Sequence, residues 1–78
     1  MKVEMNMAKR SLLEHIIEKI NTVYKYTLEL EIIEGEGVIL PYGINYKTSS
    51  GYIVATKGFK TLEEVYIYLR GVRDILEI

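Results

Sequence analysis

Tyr24-Lys25-Tyr26-Thr27-Leu28-Glu29-Leu30-Glu31-Ile32 alternates without a break between a face of Tyr24, Tyr26, Leu28, Leu30 and Ile32 and a face of Lys25, Thr27, Glu29 and Glu31. A two-residue period places successive side chains on opposite sides of an extended chain, so this stretch predicts a strand with one buried face. Glu34-Gly35-Glu36-Gly37 supplies the glycines a tight connection needs, and Val38, Leu40, Tyr42, Ile44 and Tyr46 then resume the same period. The two runs predict an antiparallel hairpin. Pro41 has no N–H to give a ladder, so the second strand is expected at an edge or bulged near Pro41-Tyr42-Gly43. Thr48-Ser49-Ser50-Gly51 reads as a second turn. It leads into a short third strand, Tyr52-Ile53-Val54-Ala55-Thr56, which Lys57-Gly58-Phe59-Lys60 is expected to break.

Helical periods flank the strands. Upstream, Leu12, Leu13, Ile16, Ile17 and Ile20 form one stripe of an amphipathic helix. Ser11 with Glu14 reads as a capping box for its start, Asn6 as a cap one turn earlier, and residues 1–6 are expected to fray. Downstream, Thr61 with Glu64 forms a second capping box, and the helix it opens is expected to reach Ile78. That helix carries two apolar seams, Leu62-Val65-Leu69-Val72-Leu76 and Tyr68-Gly71-Ile75-Ile78. At about 100° per residue the seams lie roughly a quarter turn apart, leaving Glu63, Tyr66, Arg70, Arg73 and Asp74 as the polar arc. The order α-β-β-β-α with short connections predicts one α+β domain over residues 1–78. Its economical arrangement is a three-stranded antiparallel meander with two helices packed on one face.

Composition narrows the function classes. A chain of 78 residues buries only about 60–65% of the surface its unfolded form exposes, and it has no disulfide to add stability. Small domains of this kind often depend on association. With 49% hydrophobic and 27% charged residues the chain is ordinary globular material. The absence of cysteine excludes disulfides, CxxC redox chemistry and thiolate metal sites. A formal charge of −1 argues against binding nucleic acid by bulk positive charge. Met1 to Arg10 lacks an apolar leader core, and no window approaches a membrane span, so a cytoplasmic protein without membrane contact is expected.

Candidate chemistry is sparse. His15 falls on the polar side of the first helix with Ser11, Glu14 and Glu18, which nominally offers a nucleophile, a base and an orienting carboxylate. An exposed helix face offers neither an oxyanion site nor exclusion of water, and two or three exposed ligands do not close a metal shell. Glu29 and Glu31, near Glu34 and Glu36, lack the ligand spacing of a calcium loop and read as a solvated sheet face. Gly35-Glu36-Gly37 has no following Gly-Lys-Ser/Thr and is no phosphate loop. No catalytic residue, cofactor, metal or small-molecule substrate is expected.

The α-β-β-β-α order resembles double-stranded RNA-binding domains, which place a lysine cluster at the start of the last helix. Lys57 and Lys60 approach that position, while Glu63 and Glu64 occupy the first turn itself. Phe59-Lys60-Thr61-Leu62-Glu63-Glu64 is similar to the Phe-Lys-Ser/Thr-x-Glu-Glu run of the hybrid-binding domain at the start of some ribonucleases H, without that family's surrounding tryptophan and glycine pattern. These resemblances imply a nucleic-acid-binding accessory domain using Lys47, Lys57, Lys60 and the tyrosine-rich strands. Small cysteine-free chains also resemble accessory proteins of phages and mobile elements, including inhibitors of host defence.

The second seam of the last helix poses the functional question. It is covered by the first helix, by a copy of the chain, or by another protein. Gly71 costs about 1 kcal/mol relative to alanine inside a helix, which close approach of another backbone would explain. With nothing expected to follow the helix and fold back on it, Ile67, Tyr68, Gly71, Ile75 and Ile78 are the candidate partner-binding residues. The outer sheet face, with Ile33, Ile39, Pro41, Gly43, Ile53 and Ala55, is a second candidate surface. A non-enzymatic interaction module, homodimeric, is the primary expectation, and nucleic acid is the less expected partner.

Overall fold

The computed structural model describes residues 2–78, with side chains from residue 9 onward. Helix α1 spans Lys2–Asn21, strands β1, β2 and β3 span Thr27–Ile32, Tyr42–Lys47 and Ile53–Phe59, and helix α2 spans Leu62–Leu76. The strands form one antiparallel sheet in the order β1-β2-β3, the expected meander. Register aligns Leu28 with Tyr46 and Ala55, Leu30 with Ile44 and Lys57, and Ile32 with Tyr42 and Phe59 on the face beneath the helices. There Leu13, Ile16, Ile17 and Ile20 of α1 meet Leu28, Ile44 and Phe59 of the sheet and Leu62, Val65 and Leu69 of α2 in one buried core. Lys9 Nζ lies 3.1 Å from Glu63, and one turn further along both helices Leu12 and Leu13 adjoin Tyr66, so α1 and α2 run side by side in the same direction. Each helix is antiparallel to the strand it adjoins.

The elements differ from the expected spans for identifiable reasons. Helix α1 runs through both Asn6 and Ser11, so neither caps its start. The expected fraying of residues 1–6 lies outside the residues whose side chains are described. Strand β1 begins at Thr27 rather than Tyr24, since the N–H groups of Thr22, Val23 and Tyr24 still bond the last carbonyls of α1. Asn21 then fixes the entry to β1. Its Nδ2 donates to the Leu28 carbonyl at 3.1 Å and its Oδ1 accepts from the Leu28 N–H at 2.8 Å.

Strand β2 is central and starts after Pro41, not at Val38, and the irregularity lies not at the proline but in β3, where Val54 is the extra residue opposite the Tyr46–Lys47 step. Pro41 avoids the missing donor by acting only as an acceptor, its carbonyl taking the Ile33 N–H at 2.7 Å. Strand β3 continues through Lys57-Gly58-Phe59, which was expected to break it, because Lys57 and Gly58 pair with Ile44 and Gly43. A Cβ at Gly58 would come within 2.8 Å of a Leu40 methyl carbon, so Leu40 takes the space a side chain would need. The register also turns Ala55 to the helix side, correcting its expected place on the outer face.

Helix α2 opens on the expected capping box: Thr61 accepts from the Glu64 N–H, and Glu64 accepts from that of Thr61. It ends at Leu76, two residues short of the expected Ile78. Glu77 adopts the left-handed conformation at φ 58° and donates to the carbonyls of Arg73 and Asp74.

Candidate partner-binding surface

The two seams of α2 have different fates. Leu62, Val65 and Leu69 are buried, and Val72 and Leu76 pack partly against the same core. The second seam is not covered by α1, which removes the first of the three covers expected for it. Ile67 is 63% exposed, Ile75 82% and Ile78 39%, and a Cβ built at Gly71 meets nothing within 4 Å. The close backbone approach expected at Gly71 is therefore not made within the chain. Four of the five candidate residues thus form one exposed apolar strip.

Tyr68, the fifth, is half-buried and joins the fold to the strip. Its ring packs on Phe59 at 5.2 Å between centroids, and its hydroxyl is hydrogen-bonded to that of Tyr46. Tyr46 in turn meets Tyr24 edge-on at 6.4 Å, and Tyr24 meets Tyr26 at 5.9 Å. The tyrosines are an aromatic rim to the core. Burial pushes the Tyr46 phenol well above its ordinary pKa, and the hydrogen bond with Tyr68 adds to the shift.

Between α2 and β3 lies an open groove of about 430 Å³, lined by Lys57, Gly58, Phe59, Glu64, Ile67 and Tyr68. Lys57 Nζ stands 5.6 Å from the Tyr68 ring centroid and 5.9 Å from that of Phe59, within the range of cation–π attraction. The Glu64 carboxylate is held at the helix start by the N–H groups of Lys60 and Thr61. Strip and groove are continuous at Ile67 and Tyr68.

The outer sheet face is polar at its centre, which corrects the apolar patch expected there. Asn45, 2% exposed, donates through Nδ2 to Glu31 at 2.8 Å and accepts from the Thr56 hydroxyl at 2.7 Å. Lys47 Nζ lies 2.9 Å from Glu29 and, with Asn45, holds that carboxyl below the usual carboxylate range. Nothing in the alternating pattern marks Asn45 as buried, because the long side chains of its neighbours cover it. Ser11, His15 and Glu18 are exposed on α1 as expected, His15 and Glu18 lining a shallow depression with Lys19 and Thr22. Lys47 lies on the outer face, Lys57 on the helix side and Lys60 in the connection to α2, so the three lysines do not converge.

No group of three or more described His, Asp or Glu side chains is placed to hold a metal ion, and no described helix is long and apolar enough to cross a membrane. Comparison with protein-family models, curated proteins and solved structures finds no match.

Proposed function

We propose that this chain is a non-enzymatic protein–protein interaction module, working as a homodimer in a cytoplasmic setting, with the α2 strip as its association surface. The observation that carries this reading is the strip itself. Ile67, Gly71, Ile75 and Ile78 contribute nothing to the core, yet they replace the polar residues a solvated helix face would carry. A phage accessory protein or defence inhibitor suits such a module, because its work is done by surface contact alone. Nucleic-acid binding has weaker support, since Lys47 is engaged by Glu29 on the far side of the sheet from Lys57.

Charge insertion on the strip tests the reading. Ile67→Lys and Ile75→Lys should leave the circular dichroism spectrum and melting temperature of the isolated chain unchanged while abolishing association. Ile39→Lys, at a residue 77% exposed in the β1–β2 connection, should leave spectrum, melting temperature and association all unchanged. Association indifferent to all three substitutions contradicts the proposal. Tight, salt-sensitive binding of duplex RNA lost on Lys57→Glu would replace it with the nucleic-acid reading.

A further inference from the structure

We infer that the partner is a second copy paired strand to strand along the free edge of β3, about a two-fold axis through Thr56. This deepens, and rests on, the reading of the α2 strip as an association surface. Hydrogen-bond alternation identifies the free groups. Because Asn21 takes both the N–H and the carbonyl of Leu28, those groups point away from β2, and Leu28 and Tyr46 are a non-hydrogen-bonded pair. Alternation then makes Tyr46 and Ala55 a hydrogen-bonded pair and Asn45 and Thr56 a non-bonded one. Thr56 and Gly58 therefore direct their N–H and carbonyl groups off the β3 edge, where no described side chain bonds them. Asn21 caps the β1 edge at Leu28 alone, whereas the β3 edge, open at Thr56 and Gly58, is the one that adjoins α2 and its strip.

A second, independent geometry converges on the same axis. Tyr68 packs on Phe59 and lies beside Lys57, which sets its level along the sheet. Helix α2 runs back along β3, and three residues at about 1.5 Å each bring Gly71 about 4.5 Å further, to the level of Thr56. The one strip residue without a side chain thus lies beside the proposed axis. Since α2 packs on both β2 and β3, its axis is about 5 Å from the two-fold, given a strand spacing of about 4.8 Å. Two copies of α2 then come about 10 Å apart, a distance at which helices pack. Ile67 of one copy faces Ile75 of the other across the Gly71 positions.

Register agrees with a second copy. Pairing through Thr56 sets Lys57 opposite Ala55 of the second copy and avoids the like-charge opposition that an axis through Lys57 would impose.

Light scattering after size exclusion, from low micromolar to near-millimolar concentration, tests the pairing with two substitutions at one position. Thr56→Ala and Thr56→Pro both lose the hydroxyl bond to Asn45, and only proline removes the outward N–H. The parent and Thr56→Ala should reach twice 9.0 kDa, while Thr56→Pro should associate at least tenfold more weakly. In the parent, amide exchange at Thr56 and Gly58 should slow as concentration rises, a readout that needs no substitution. A dimer that survives Thr56→Pro but dissociates on Ile75→Lys overturns the strand pairing and leaves the association surface standing. A dimer indifferent to both overturns both. A single 9.0 kDa species at every concentration, with exchange at Thr56 independent of concentration, overturns the second copy as partner.

Discussion

At the scale of single residues, two polar contacts set the response to pH. The Tyr46 phenol is raised by burial and then by its bond to Tyr68. Its neutral form is favoured by folding, so this stability is fully present below the ordinary tyrosine value near pH 10 and is lost as pH rises beyond it. The melting temperature should fall above about pH 10, and Tyr46→Phe should flatten that fall. Glu29 behaves oppositely. Its carboxyl is lowered by the bond from Lys47 and then that from Asn45, so its contribution is present above the ordinary carboxylate value and lost as pH falls through the lowered one. A carbon-detected NMR titration of Glu29 should give a midpoint below the ordinary value, and Lys47→Ala should raise it. Neither pair was legible in the sequence, because each joins residues distant along the chain through register and helix placement rather than through any local pattern.

At the scale of elements, the two seams of α2 separate stability from association. Leu69 is fully buried, so Leu69→Ala should cost about 2–5 kcal/mol in chemical unfolding. Ile75→Lys changes a side chain that touches solvent and should stay within about 0.5 kcal/mol of the parent at concentrations where the chain is a single copy. Equal losses for the two would mean that the strip belongs to the fold. The sequence carried the elements well where periodicity was uninterrupted, as in Leu28–Ile32 and Leu62–Leu76, and where caps were local, as at Thr61. It misplaced ends that tertiary pairing decides. Lys57-Gly58-Phe59 looks like a breaker in isolation, but β2 supplies partners and Leu40 occupies the space above Gly58. The candidate site was legible as a list of residues. That α1 leaves the strip open was not, because which seam α1 covers depends on where the sheet positions both helices.

At the scale of the whole molecule, one three-stranded sheet and two parallel helices bury a single core and leave the β3 edge and one helix strip uncovered on the same side. A small domain without a disulfide gains from covering such a surface, and the level of Gly71 beside Thr56 makes it self-complementary. Gly71 brings stability and association into opposition. Since nothing in the chain approaches it, Gly71→Ala should stabilise the single copy by about 1 kcal/mol through helix propensity alone. The added methyl would lie between two helices at the proposed axis. Sedimentation equilibrium of Gly71→Ala against the parent therefore separates the two effects. Self-association should be at least tenfold weaker in the intrinsically more stable chain; association as tight as the parent's, or tighter, would mean that Gly71 does not lie between paired helices.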